Sequence, residues 1–239
     1  MSIWRRISDF ITTTAVDAFS SIIEAVRTAF EGDPETRRRV AFSIAMIALS
    51  AKMAKADGVV SQAEVNAFHD IFHVPSQYQD QVTRLYNLAK QDVAGYETYA
   101  AQLASLCGSG HRNCQMLEDV LDGLFHIAKA DGALHDKELT FLGTVAEIFA
   151  LDEEKFDRIL ARHVGRGQAD PYLVLGLGRN VNFETARKQY RALVRENHPD
   201  MLIARGVPEE FIAIANQRIA AINAAWEKVE KDLKAYERV

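Results

Sequence analysis

Four groups of side chains in this chain of 239 residues have types and spacings suited to chemistry. The first is His198-Pro199-Asp200, preceded by the cations Arg187, Lys188, Arg191 and Arg195. Steps of three and four residues make those cations neighbours on one face of a helix. Phe183, Ala186, Tyr190 and Leu193 recur at helical spacing and supply the adjoining apolar stripe. Pro199 cannot continue this helix and pushes His198 out of the helical region, so the helix ends here. An imidazole and a carboxylate are thereby presented on a stiff turn beside a cationic ridge. That surface suits an acidic partner, because complementary charge orients the encounter and raises its rate.

The second group is the carboxylates Asp57, Glu64, Asp131 and Glu138. They belong to an internal repeat, Ala54-Lys55-Ala56-Asp57-Gly58 and Ala128-Lys129-Ala130-Asp131-Gly132, each copy carrying a Glu further on. If the two repeat units pack about a pseudo-twofold axis, the four carboxylates could converge on a hard divalent cation. A local reading competes and is preferred. Ser61 and Glu64 have capping-box spacing, and Asp-Gly is an ordinary turn pair after a helix. On that reading the chain needs no cofactor.

Cys107, His111 and Cys114 offer three zinc ligands, but a closed structural site needs a fourth. Gly108 and Gly110 between them indicate a loop joining two helices. Two cysteines form no disulfide framework, and without a secretory signal they are expected as reduced thiols in a cytosol. His69 and His73 stand four apart, a chelating spacing, yet lack the intervening Glu of a zinc-protease helix and read as helix-surface residues. No nucleophile elbow, Walker loop or dinucleotide fingerprint occurs. Gly176-Leu177-Gly178 does not follow a strand. The chain is not read as an enzyme.

The elements that must hold these groups are helices. The composition is 48% hydrophobic and 26% charged, with few Gly and Pro and no sustained β-branched alternation. A net charge of -5 argues against general nucleic-acid binding. No apolar run is long enough to span a bilayer. Residues 1–32 form an amphipathic helical segment whose stripes are Ile3, Trp4, Ile7, Phe10 and Ile11, then Phe19, Ile22, Ile23, Val26 and Phe30. Packing on the next domain or on a second copy is preferred. The alternative is a peripheral membrane helix, with Trp4 at the interface and Arg5 and Arg6 near anionic headgroups.

Asp33-Pro34 restarts the chain as an N-cap followed by Pro at the first helical position. A long helix then runs to Asp57, apolar over most of its circumference and so central to a bundle. Further helices are expected at 61–73, 78–90, 93–106, 112–131, 136–149 and 153–162. Seven helices thus make a bundle over 33–163, with a Gly-containing linker at 164–169. Asp170 and Pro171 open a short helix that Gly176 and Gly178 close, and Asn182 caps the basic helix. Met201 to Val207 are expected as a loop. Pro208 then starts a last helix with the seam Phe211, Ile214, Ile219, Ile222, Trp226, Val229 and Leu233.

These residues carry a resemblance. His198-Pro199-Asp200, the basic helix before it and Asp170-Pro171-Tyr172-Leu173-Val174-Leu175-Gly176 together resemble a J domain, spanning 170–239. The repeated bundle is similar to the TerB-like, tellurite-resistance-type helical domain. The combination resembles the DjlA co-chaperone family. The resemblance implies an all-α protein, a seven-helix TerB-like bundle plus a small J-domain hairpin. It also implies that His198, Pro199, Asp200, Arg187, Lys188, Arg191 and Arg195 bind the ATPase domain of an Hsp70 chaperone and speed its hydrolysis of ATP. The bundle would recruit an unidentified partner.

Three departures stand out. Ala192 and Glu196 occupy places that are often basic in the family, and the N-terminus lacks the membrane-spanning segment of familiar members. The cytoplasm is therefore the expected compartment, with a peripheral position at the inner membrane as the alternative. A second class of function is a stress-response or divalent-metal-sensing protein in which the bundle is the primary module.

Overall fold

Asp33 and Pro34 act as their types suggest. The Thr36 N–H donates to Asp33 Oδ1 at 3.0 Å, and Pro34 opens a helix that runs unbroken to Asp57. The computed structural model describes residues 3–13, 33–57, 74–91, 95–105, 107, 114–132, 134–163, 169–204, 207–209 and 212–236. Among them are eleven α-helices and no strand, so the all-α expectation holds. In chain order they are α1 Ile3–Thr13, α2 Pro34–Asp57, α3 Gln79–Gln91, α4 Tyr96–Ser105, α5 Gln115–Ala128 and α6 Asp136–Ile148. Then follow α7 Glu153–His163, α8 Pro171–Val174, α9 Phe183–Glu196, α10 Pro199–Ala204 and α11 Ile212–Tyr236. The chain divides into two compact units, Met1–Leu151 with Arg205–Phe211, and Asp152–Ala204 with Ile212–Val239.

In the first unit α2 is the axis. Every residue from Val40 to Ala54 is buried, as its all-round apolar pattern requires. Ser43 and Ser50 are tolerated there because their hydroxyls donate to the carbonyls of Arg39 and Met46, four residues back. Helices α3, α4, α5 and α6 pack around this axis.

Helix α1 packs on α2 and α3, burying Trp4, Ile7 and Ile11. Arg6 donates through Nη1 to Thr36 Oγ1 at 2.9 Å and lies 3.7 Å from Asp33 Oδ2. Trp4, at 1% exposure, is not available to a membrane interface, and no helix among the described residues is long and apolar enough to cross one. The second half of the N-terminal segment lies outside the described residues, as do His69, His73 and His111.

One expectation about this unit is overturned. Cys107 and Cys114 are joined in a disulfide between the end of α4 and the start of α5, not held as reduced thiols. Their Cα atoms lie 6.3 Å apart, inside the range a bridge can span. Paired in this way, neither sulfur is a thiolate available to zinc.

The second unit is built on α11. Its apolar face, with Ile222, Ala225, Trp226, Val229 and Leu233, packs against Tyr172, Val174 and Leu175 of the α8 region and Ala186 and Leu193 of α9. Burial of each large apolar side chain is worth about 1.5–3 kcal/mol. Helix α7 packs with α8 and α11 and adds Ala161 to this core.

Candidate functional site

The turn at His198 is held from both sides. Asn182 caps α9, its Oδ1 accepting the Thr185 N–H at 2.8 Å, and Asp170 caps α8 by accepting the Tyr172 N–H at 2.9 Å. Asp170 Oδ2 also receives Arg179 Nη2 at 2.6 Å. Gly176 ends α8 with φ 62, a left-handed conformation that calls for glycine. These joints fix where α9 starts. Tyr190 then stacks on Trp226, centroids 4.8 Å apart and planes 9° from parallel, while its hydroxyl donates to Asn223 Oδ1 at 3.1 Å. Phe183 and Trp226 meet at 5.9 Å. The buried face of α9 is therefore clamped to α11, and its cationic face is turned outward.

Arg187, Lys188, Arg191 and Arg195 are all exposed. Arg191 and Arg195 line a groove of about 400 Å³ together with Tyr190, Val194, His198, Asp200 and Met201. Arg187 and Lys188 lie further back along the helix and extend the cationic ridge beyond the groove. Pro199 is half-buried at the start of α10 and sets the direction of the turn without lining the groove.

The expected loop from Met201 is in fact a short helix up to Ala204. Pro at a first helical position is preorganised for a helix, so Pro199 both ends α9 and opens α10. His198 serves as the hinge between α9 and α10. Its carbonyl accepts the N–H groups of Met201 at 2.9 Å and Leu202 at 3.2 Å. The Asp200 N–H donates to His198 Nδ1 at 3.3 Å, and Asp200 Oδ2 lies 3.4 Å from the same nitrogen. Nδ1 faces Asp200 inside the turn, so Nε2 is the ring nitrogen left for an outside partner. The side chains of His198 and Asp200 are 53% and 85% exposed. Asp200 therefore offers a solvated carboxylate that a guanidinium could engage through two parallel hydrogen bonds.

Three contributors escaped the sequence reading. Met201 is 45% exposed and places an apolar surface at the edge of a charged groove. Asn197 and Arg218 lie beneath the turn, 7% and 3% exposed, with Arg218 Nη1 donating to Asn197 Oδ1 at 2.9 Å. One signal could have found Arg218. It sits four residues from both Ile214 and Ile222, a charge set into the buried stripe of α11.

Of the four repeat carboxylates, only the side chain of Glu138 lies among the described residues. Asp57 is the last described residue of α2, and Asp131 closes a single 3-10 turn after α5, with Gly132 following at φ 103. Glu64 and the side chains of Asp57 and Asp131 lie outside the described residues. Glu138 is buried, and its Oε2 accepts the His135 N–H at 2.9 Å at the start of α6. That is the capping arrangement, and it commits part of a carboxylate the cation site would need. No group of three or more metal-ligating side chains occurs among the described residues.

Comparison with known proteins bears on both units. Residues 43–161 match the family described as tellurite resistance protein TerB. A protein of Photobacterium profundum named co-chaperone protein DjlA is 27% identical over 221 residues, covering 82% of this chain and 79% of its own. The protein of the same name from Coxiella burnetii is 27% identical over 199 residues, 75% of this chain and 73% of its own. That from Escherichia coli is 24% identical over 230 residues, 82% of this chain and 81% of its own. No solved structure matches.

Proposed function

The chain is a DjlA-type protein with a TerB-like domain, and on that premise we propose that it is a co-chaperone whose residues 170–239 form a J domain. This domain docks on the ATPase domain of an Hsp70-type chaperone and stimulates hydrolysis of ATP there. The observation that carries the reading is the groove itself. It brings Arg191, Arg195, His198 and Asp200 to one exposed surface beside a clamped helix.

Each group has a role that its chemistry supports. Arg187, Lys188, Arg191 and Arg195 steer an acidic surface of the chaperone and set its orientation more than its final affinity. Asp200 accepts a guanidinium of the chaperone, His198 offers Nε2 to a polar group across the contact, and Pro199 keeps the turn rigid so that little entropy is lost on docking. Tyr190 and Val194 form the floor between the charges. The chain itself performs no covalent step. It shifts the chaperone towards a hydrolysis-competent state, to the extent that it binds that state more tightly. The bundle of the first unit serves as the recruitment or sensing module.

Single-turnover hydrolysis by the host's own Hsp70, with and without the full chain, tests this reading. Wild-type protein is expected to accelerate hydrolysis. His198→Gln and Asp200→Asn should abolish the effect while circular dichroism and melting stay unchanged, since exposed positions usually alter stability by no more than about 0.5 kcal/mol. Arg191→Glu should weaken association and flatten its salt dependence. A wild-type protein without effect, or a His198→Gln variant with full effect, refutes the proposal.

A further inference from the structure

The His-Pro-Asp turn is exposed, yet the residue just before it is buried and tied to another helix. Asn197 ends α9 with φ -99 and ψ 10, and its N–H donates to the Leu193 carbonyl. Its side-chain Nδ2 donates to the same carbonyl at 2.7 Å, which orients Oδ1 towards α11. There it receives Arg218 Nη1 at 2.9 Å. Beyond the turn, α10 packs on the same helix with Leu202 buried. Both flanks of the turn are thus referred to α11.

We infer that Arg218 and Asn197 are positioning residues, which set the angle at which His198 and Asp200 are presented. The inference rests on the docking function proposed above. Arg218 belongs to a stripe otherwise filled by Ile214, Ala215 and Ile222, where a residue such as Met would bury well without the cost of desolvating a charge. A buried ionic or polar link of this kind adds little net stability, and its best-attested use is to fix register. The link spans 21 residues and ends on the side chain of Asn197, the residue just before His198. Hydrophobic packing of α9 on α11 would tolerate small sliding, whereas a directed hydrogen bond at 2.9 Å does not.

The test compares full-length wild type with Arg218→Lys, Arg218→Met and the double variant Asn197→Leu/Arg218→Met. Arg218→Met alone leaves Oδ1 of a buried amide without its donor, and any loss of activity then mixes with instability. The double variant removes both ends of this bond, and the Leu193 carbonyl keeps the Asn197-position N–H.

Three measurements are made: thermal melting, single-turnover stimulation of the host's Hsp70, and hydrogen exchange at the Met201 and Leu202 amides, which bond to the His198 carbonyl. With wild-type melting in the double variant, stimulation should fall about tenfold and the two amides should exchange about tenfold faster, in line with the sensitivity of positioned groups to small displacements. Arg218→Lys, which keeps a donor, should restore most of both. Wild-type stimulation and exchange in a double variant that melts normally overturns the inference, since the pair is then structural only. Stimulation that follows melting temperature alone across the set overturns it too. If wild type fails to stimulate Hsp70, the docking function falls, while the exchange rates still decide whether the pair holds the turn.

Discussion

Replacing Trp4 by Ala separates the two readings of the N-terminal helix. Trp4 is 1% exposed, so nearly the whole indole is removed from packed surroundings and little of the loss is recovered by solvent. Deletion of a buried Trp side chain costs about 3–5 kcal/mol. The polar contacts of α1 cannot compensate, because ion pairs such as Arg6–Asp33, with side chains 35% and 50% exposed, are screened by solvent. The chain has two tryptophans, Trp4 in the first unit and Trp226 in the second, so a Trp226→Phe background leaves Trp4 as the sole indole. Its emission should be blue-shifted in the native protein and move red in a single urea transition. Trp4→Ala, followed by circular dichroism, should lower the stability of the first unit by about 3–5 kcal/mol. A red native emission that turns blue on adding anionic vesicles, with a stability loss below about 0.5 kcal/mol, would refute the packed-helix assignment in favour of a membrane-surface one.

Other outcomes follow from the same geometry. Tyr190→Phe should cost about 0.5–1.5 kcal/mol for the bond to Asn223 and Tyr190→Ala about 2–4 kcal/mol, read by urea titration, with stimulation lost in the Ala variant through unfolding. The Cys107–Cys114 bridge, with a sequence separation of 7, should contribute about 2–3 kcal/mol by closing a short loop in the unfolded chain. Mass spectrometry should find neither cysteine alkylated before reduction, and alkylation without reductant would contradict the bridge. Hydrogen bonds from the Thr36 hydroxyl and then its N–H, with a smaller effect from Arg6, hold the Asp33 carboxyl below its ordinary pKa. Its contribution is thus present above the unfolded-state pKa and lost as pH falls through the folded one. Asp33→Asn should flatten that acid limb in pH-dependent melting, and unchanged acid sensitivity would show that the cap is not its source.

The outer boundaries and types of most helices were legible because they depend on neighbours along the chain. Asp33, Asp170 and Asn182 cap helices through their own side chains, and Pro34 and Pro171 open them, all within one turn of sequence. The stripe Ile222, Trp226, Val229 and Leu233 specifies a buried face whatever covers it. The cations of α9 and the turn after them are likewise local, and so the candidate site could be written down before any fold. Pro199 is the local feature that was misread, since a single Pro both ends α9 and begins α10.

What only the tertiary structure decided is which surfaces meet. Periodicity required α1 to bury Trp4 and Ile7 but did not say against what, and α2 with α3 is the answer. Two cysteines in one sequence can be thiols, ligands or a bridge, and the distance between the ends of α4 and α5 chooses. Spacing gives α7 an apolar face but not what covers it, and α8 and α11 pack against it. The link from Arg218 to Asn197 is the furthest from sequence reasoning. Its two ends are 21 residues apart, each type is commonplace on a helix surface, and the bond forms because packing on one apolar seam buries both side chains side by side.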